Sequence, residues 1–258
     1  MPQTALTKFP TRYRASQQGF SLIELAIALL ILSLMLAAGL MSLGKQQEAL
    51  KQRENQRLLS EARDALLGFA ITHGRLPCPA SQTSNGLESP PGGAACTNPH
   101  NGFLPGVTLG LSNLDDHGYA LDAWSSTANR LRYSLTTANG NAFSSLNAIR
   151  STGIAALAPD LSICISSNGS NNNSCGISGS NTLSNNAVAV ILSLGPNAAQ
   201  FPGGAGNDEA ANLNGDRVFV AAPFRAQGAS DGGEFDDQLI WIAPTTLYNR
   251  LLLAGQIP

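Results

Sequence analysis

An uninterrupted apolar run near the amino terminus constrains this chain more than any other feature. Residues 20–43 read FSLIELAIALLILSLMLAAGLMSL, and Glu24 is the one charged residue among these 24. As a helix, such a run extends about 36 Å, which is enough to cross a hydrocarbon layer about 30 Å thick. A secretory signal peptide is the alternative, but its apolar region usually has only about 7–15 residues. We therefore expect the run to be retained as a membrane-spanning helix.

Helical periodicity continues beyond the apolar run, to about Thr72. Apolar residues recur at helical spacing on one face: Leu58, Leu59, Ala62, Leu66 and Phe69. No proline interrupts residues 20–72, and Gly74 followed by Pro77 supplies a stop. The pattern predicts one long helix over residues 20–73, whose second half needs a globular domain to cover its apolar stripe. Two helices hinged near residues 39–44 are the alternative.

Glu24 is the unusual residue of this segment, because an acid inside a membrane-spanning run is costly and indicates a function. It follows Phe20 by one helical turn, and Gly19 comes directly before Phe20. A polar leader precedes Gly19 and carries the basic residues Lys8, Arg12 and Arg14. The segment therefore combines a small residue at the end of a leader, an apolar run, and an acid at a fixed offset.

This arrangement resembles the class III signal peptides of type IV prepilins and type II secretion pseudopilins. The resemblance implies that residues 1–19 are a leader, that a prepilin peptidase cleaves between Gly19 and Phe20, and that the same enzyme methylates the new terminus at Phe20. It also implies that Glu24 pairs with the terminal amine of a neighbouring subunit. Two charges that are costly alone in apolar surroundings favour the one register that pairs them.

The topology of the chain follows from its charges and cysteines. The basic leader predicts a cytoplasmic amino terminus, which places residues 74–258 in the periplasm or beyond, where disulfides persist. Four cysteines allow three pairings. We favour the local one because each pair brackets a turn-rich segment: Cys78 with Cys96 and Cys164 with Cys175. A zinc site is not expected, because the chain has no C-x-x-C sequence and its histidines are scattered.

Strand-like runs alternate with turn-rich segments in the carboxyl-terminal part: residues 129–136, 187–194, 217–221 and 238–243. Leu131, Tyr133 and Leu135 share one face of the first run, and the second is a nearly continuous apolar run, as in a strand buried on both sides. A last helix is expected over residues 246–254, with Thr245 as its N-cap and Gly255 as its terminator. The order of elements predicts an α+β fold in which an antiparallel sheet packs on the helix stripe.

Short motifs in this domain resemble a set of bacterial pilin-like proteins: Leu76-Pro77-Cys78-Pro79, Leu104-Pro105, Leu109-Gly110-Leu111 and Leu131-Arg132-Tyr133. Asp236-Asp237, before Leu239-Ile240-Trp241, is similar to a sequence of the same group. The resemblance implies a minor pilin or a pseudopilin and identifies no ligand.

Residues suited to chemistry are sparse. Ser230 lies in a G-x-S-x-G sequence, but the strand and helix that a nucleophile elbow requires are not expected around it. Weak calcium candidates gather near Gly215, without the spacing of an EF-hand: Asp208, Asn212, Asn214 and Asp216. Other residues that could bind a ligand are expected in solvated loops, beside a strand or in the core: His73, His100, Asp115, Asp116, His117, Trp124, Asp236, Asp237 and Trp241.

The net charge and the motifs of the chain give no indication of nucleic-acid or nucleotide binding. The net charge is −2, and no basic aromatic stripe or glycine-rich phosphate loop occurs, so the sequence offers no support for nucleic-acid or nucleotide binding. Neither catalysis nor a cofactor is expected. The leading interpretation is a structural subunit of a type IV pilus or a type II secretion pseudopilus. Its implied partners are the prepilin peptidase, other pilin-like subunits and the inner membrane. The alternatives are a filament-tip adhesive module, with specificity in loops 80–100 and 166–186, and an anchored periplasmic enzyme.

Overall fold

The computed structural model describes residue 19 and residues 21–177, 179–230 and 232–258, apart from the side chains of residues 36–45. The predicted leader and Phe20 therefore lie outside the described residues. The chain divides into two compact units, Met1–Ala49 and Leu50–Pro258. The second unit thus includes the last turns of the long amino-terminal helix as well as the predicted domain.

Helices and strands alternate through the second unit. The helices are α1 (Leu22–His73), α2 (Gly106–Leu109), α3 (Ala138–Asn141), α4 (Ala148–Thr152), α5 (Asn207–Ala211) and α6 (Pro244–Leu253). The strands are β1 (Gly102–Phe103), β2 (Arg132–Leu135), β3 (Leu161–Cys164), β4 (Thr182–Ala187), β5 (Ala189–Ser193), β6 (Val218–Val220) and β7 (Gln238–Ile242).

Helix α1 has 52 residues, and its backbone is helical through residues 39–44, where a hinge was the alternative. It ends at His73 because Gly74 adopts a left-handed backbone conformation with φ of +67°. Over the part of the chain that the structure describes, no helix has the length and apolarity needed to cross a membrane.

The carboxyl-terminal turns of α1 cover one face of an antiparallel four-stranded sheet with the order β1-β2-β5-β7. Leu59 and Leu66 of the predicted stripe share one buried cluster with Tyr133 and Leu135 of β2. The predicted packing of the helix stripe on the sheet is therefore confirmed. Phe69 differs from the rest of the stripe because it is only partly buried and stacks on His73, with ring centroids 3.9 Å apart.

A second sheet with the order β4-β3-β6 packs on the other face of the first sheet. Val190 of β5 lies in one cluster with Ile163 of β3 and Phe219 of β6, which explains why β5 is buried on both sides. The sheet that packs on the helix is antiparallel, as expected, whereas the second sheet contains one parallel pair, β3 with β6. The chain joins these two strands through β4, β5 and α5 rather than through a hairpin, which permits the parallel direction.

Element boundaries correct three further predictions. The run at 129–136 becomes a strand only at Arg132, because residues 127–129 form a 3₁₀ turn. The run at 187–194 is divided between β4 and β5. The last helix begins at Pro244 with Ala243 as its N-cap, so Thr245 is not the cap. Proline favours the first helical position because its fixed φ suits a helix and its missing N–H is not needed there.

Two disulfides close the loops of the domain, Cys78–Cys96 and Cys164–Cys175. This is the local pairing that the sequence favours. The motif leucines Leu76, Leu104 and Leu131 are all buried in the cluster under α1. The short motifs are thus parts of one core, although they lie up to 55 positions apart in the chain.

Candidate functional site

The amino terminus of α1 holds the residues that the sequence assigns to processing and assembly. The Ser21 backbone N–H donates a hydrogen bond to Glu24 Oε2 at 2.9 Å, and the Glu24 N–H donates to Ser21 Oγ at 3.3 Å. This reciprocal pair is a capping box, which satisfies two backbone donors at a helix start. Sequence reasoning missed Ser21, although the Ser-x-x-Glu spacing is visible in the printed sequence.

Gly19 lies just before this cap and is exposed. A Cβ built on Gly19 meets no atom within 4 Å, so the described chain places no steric demand for glycine there. A requirement for a small residue at this position would therefore come from an enzyme that binds the segment. Phe20, the predicted mature terminus, lies outside the described residues.

The first turns of α1 present an apolar surface that no described part of the chain covers. All side chains from 21 to 35 are exposed, including Leu22 at 89% and Ile23 at 69%. Large contiguous apolar surfaces mark contacts with lipid or with other proteins. Glu24 is the one charged side chain on this surface.

The weak calcium candidates are engaged in separate hydrogen-bond groups. Asn212 is buried, and its side chain forms hydrogen bonds with two other segments. Its Nδ2 donates to Asp237 Oδ2 at 2.8 Å, and its Oδ1 accepts from the Val220 N–H at 2.7 Å. Asn214 donates to Asp216 Oδ2 at 2.7 Å in a turn near the surface. Burial raises the pKa of Asp216, and this effect exceeds the lowering by the hydrogen bonds that Asp216 accepts from Val218 and Asn214.

Asp208, the fourth candidate, is fully buried and joins three segments. Its Oδ1 accepts hydrogen bonds from Ser166 and from both the N–H and the hydroxyl of Ser167, and its Oδ2 pairs with Arg225 at 2.6 Å. Burial alone would raise the pKa of Asp208, but the bonds from Ser167 and Arg225 outweigh it, and the pKa is lowered. Asp208 therefore acts as a buried anion that fastens the Cys164–Cys175 loop to α5.

Asp208→Asn should destabilise the domain by about 3 kcal/mol, because it leaves Arg225 without its buried partner. The stabilising effect of Asp208 is complete above the ordinary carboxyl pKa of 3.8 and is lost as the pH falls through its lower folded value. Thermal unfolding at pH 7 measures the loss, with the exposed Asp116→Asn as the matched control. A rise in Tm on adding calcium to the native protein, absent in Asp208→Asn, would contradict this purely structural role.

Within the described residues, one set of carboxylates is close enough to hold a single metal ion: Glu209, Asp236 and Asp237, with ligand atoms within 4.8 Å of one another. All three are buried. Glu209 accepts hydrogen bonds from Asn197, Ala205 and the Asp236 N–H, which fixes its orientation. Burial, together with the charges of Glu209 and Asp236, raises the pKa of Asp237 well above its ordinary range.

The other polar residues that the sequence suggests as ligands or nucleophiles lie in an ion pair, at the exposed surface, before a strand or in a loop. Asp115 pairs with Arg130 at 2.6 Å, whereas Asp116 and His117 are exposed. Asp236 and Asp237 directly precede β7, as predicted. Ser230 lies in the loop between β6 and β7, away from any strand-to-helix turn of the described chain, and Asp231 of the same motif is outside the described residues.

Histidine and tryptophan side chains likewise have local explanations. Burial is the main cause that lowers the pKa of His100; Asp160 raises it and Arg217 lowers it. His73, at the exposed end of α1, has Nδ1 3.0 Å from the Phe69 carbonyl. Trp241 packs against the cluster between the two sheets, and Trp124 is partly buried.

The chain matches one family model, the prokaryotic N-terminal methylation motif, over residues 14–40. The match spans Gly19, Phe20, Ser21 and Glu24, which is consistent with a class III signal peptide of the type IV prepilin kind. No curated protein and no solved structure matches the chain. The motif supports a processed subunit of the pilin or pseudopilin kind.

Proposed function

We propose that the chain is a minor pilin or pseudopilin, cleaved after Gly19 and methylated at Phe20, that assembles through α1 into a type IV pilus or a type II secretion pseudopilus. The methylation motif at residues 14–40 is the observation that carries this proposal. Before assembly the apolar run crosses the inner membrane once, with the amino terminus in the cytoplasm. The globular domain lies in the periplasm, where its two disulfides are stable.

The exposed apolar surface of α1 supports this assignment. In water the uncovered side chains of residues 22–35 would be strongly unfavourable, at about 25 cal/mol for each square ångström of apolar surface. A lipid bilayer covers that surface before assembly, and the helices of neighbouring subunits cover it afterwards. Glu24 then provides the one charge that distinguishes the correct axial register, by meeting the terminal amine of an adjacent Phe20.

Gly19→Leu tests the processing step. We expect this variant to keep its leader and to be absent from sheared filaments, because the peptidase requires a small residue before the cut. The domain should fold normally, since a Cβ added at Gly19 would meet no other part of the described chain within 4 Å. Gly68→Ala is the matched control, because Gly68 also lies in open space. Processing and assembly of Gly19→Leu at the native level would overturn the proposal.

A filament-tip binding module is the second candidate. The segments at 80–100 and 166–186, the second of which ends in β4, are held by the two disulfides and by Glu88 and Asp208, so their described parts are ordered before any partner arrives. Preorganised loops lose less conformational entropy on binding. Filaments that carry the chain should then adhere to a surface, and filaments that lack it should not. If both kinds of filament adhere equally, the binding module is contradicted and the structural role is the one that remains.

A further inference from the structure

Arg132 differs from the other arginines of the globular domain. Four of the seven arginines after residue 74 form ion pairs: Arg75, Arg130, Arg217 and Arg225. Arg150 and Arg250 are exposed to solvent. Arg132 is mostly buried, and its Nε is wholly enclosed without a hydrogen-bond acceptor among the described residues. This guanidinium is the one in the described domain that is neither paired nor well solvated.

The guanidinium of Arg132 lies over an aromatic ring. Arg132 lies opposite Phe103 in the β1–β2 register, and its Cζ sits 4.4 Å from the centre of the Phe103 ring. Phe103 is itself fixed by an edge-on contact with Tyr119, with centroids 5.1 Å apart. A cation stacked on an aromatic face keeps its planar donors available at its edge.

Among the described residues, no carboxylate forms an ion pair with Arg132. Asp115, which pairs with the neighbouring Arg130 at 2.6 Å through Oδ2, accepts at Oδ1 from the N–H groups of His117 and Tyr119 at 2.9 Å. Burial and the positive charge of Arg130 lower the pKa of Arg132. The cluster of Arg130, Arg132 and Asp115 therefore has one uncompensated positive charge beside two aromatic rings.

We propose that Arg132 is a binding site for a carboxylate, which its guanidinium receives where it lies over the Phe103 ring of β1. A carboxylate is planar and accepts two parallel N–H bonds from a guanidinium, so it suits an arginine that has no carboxylate partner of its own. Among the described residues, no acceptor bonds the guanidinium of Arg132, and Nε is the one nitrogen of this group that is fully enclosed, so its terminal nitrogens are available. The carboxylate can belong to a free organic acid or to an acidic side chain of an adjacent subunit.

The first experiment measures the free acid and does not depend on the proposed function. Mature full-length protein in detergent is unfolded thermally in succinate and in chloride at equal ionic strength. At about ten times the dissociation constant, succinate should raise Tm by about 3 °C for a domain of this size. Each variant is compared with its own value in chloride: Arg132→Gln and Arg132→Met should lose the shift, whereas the exposed Arg250→Gln should keep it.

The second experiment measures a carboxylate carried by a neighbouring subunit. Arg132→Met retains much of the aliphatic packing on Phe103, and it should be cleaved and folded yet reach filaments at a clearly lower fraction than Arg250→Gln. If succinate raises the Tm of the native protein but not of the two Arg132 variants, the ligand of Arg132 is a free acid. If succinate raises no Tm but Arg132→Met enters filaments poorly, the ligand is an acidic side chain of an adjacent subunit. The site is overturned if succinate raises the Tm of all variants equally, or if it raises none and Arg132→Met enters filaments normally. If neither the native chain nor any variant enters filaments, the proposed function is contradicted. The succinate measurement alone then tests the carboxylate site at Arg132.

Discussion

Replacing Glu24 with glutamine should leave a cleaved and folded subunit whose fraction in sheared filaments falls about tenfold. The amide keeps the shape of the side chain but removes the charge that would meet the terminal amine of a neighbouring Phe20. In apolar surroundings that amine then has no partner, and a loss of about 1.4 kcal/mol already changes an equilibrium tenfold. Leader removal should be unaffected, since Gly19 is unchanged.

Ser21→Ala separates the charge of Glu24 from its capping role. The alanine removes the oxygen that accepts the Glu24 N–H, which weakens the helix start by about 1 kcal/mol but leaves the carboxylate in place. We expect Ser21→Ala to enter filaments at close to the native fraction. Native incorporation of cleaved Glu24→Gln, or an equal defect in both variants, would show that the charge does not set the register.

Replacing Arg75 with methionine should lower the free energy of unfolding by about 3–5 kcal/mol, because it leaves Glu88 as an unpaired buried charge. The two side chains are 4% and 9% exposed and form a bidentate pair, with both N–O distances at 2.8 Å. Glu88 also accepts the N–H groups of Cys78 and Gly92, so the pair fastens the Cys78–Cys96 loop to the end of α1. Tm should fall by about 10 °C.

Arg57→Met is the matched control, since Arg57 pairs with Glu54 and Glu61 at the exposed surface of α1. Exposed pairs contribute at most about 1 kcal/mol, so this variant should be nearly neutral. Circular dichroism during thermal unfolding compares the two. If Arg75→Met and Arg57→Met both lose at most about 1 kcal/mol in the free energy of unfolding, the pair of Arg75 and Glu88 does not hold the Cys78–Cys96 loop.

The same pair predicts a dependence on pH. Burial would raise the pKa of Glu88, but the hydrogen bonds from Arg75, Gly92 and Cys78 outweigh it and lower the value below the ordinary 4.5. A carboxyl whose pKa is lowered by folding stabilises the protein above the unfolded value. The contribution of Glu88 is therefore complete at neutral pH and is lost as the pH falls through its folded pKa.

Much of the core could be predicted because it follows from local periodicity. The stripe from Leu58 to Leu66 repeats every three or four residues, and Tyr133 alternates with polar neighbours, so each pattern indicates its own buried face. The end of α1 was also predictable, since Gly74 readily adopts the left-handed conformation that ends a helix. These features depend on residues close together in the chain.

The second sheet could not be predicted in the same way. Strand β4 reads TLSNNA, and its polar side chains are mostly exposed, so it lacks the apolar alternation that indicates a strand. Its structure depends on pairing with β3. Likewise, nothing near Asp208 in the sequence indicates that it bonds to Ser167, 41 positions away, and to Arg225. Such contacts are chosen by tertiary packing, which local patterns do not contain.

The exact mass of the amino-terminal peptide of the mature protein tests the central claim most directly. The protein is purified from cells that contain an active prepilin peptidase and is digested, and the terminal peptide is sequenced by mass spectrometry. We predict that this peptide begins at Phe20 and carries one added methyl group on its α-amine. A peptide that begins at Met1, or a terminus created by cleavage beyond the apolar run at residues 20–43, would contradict the account.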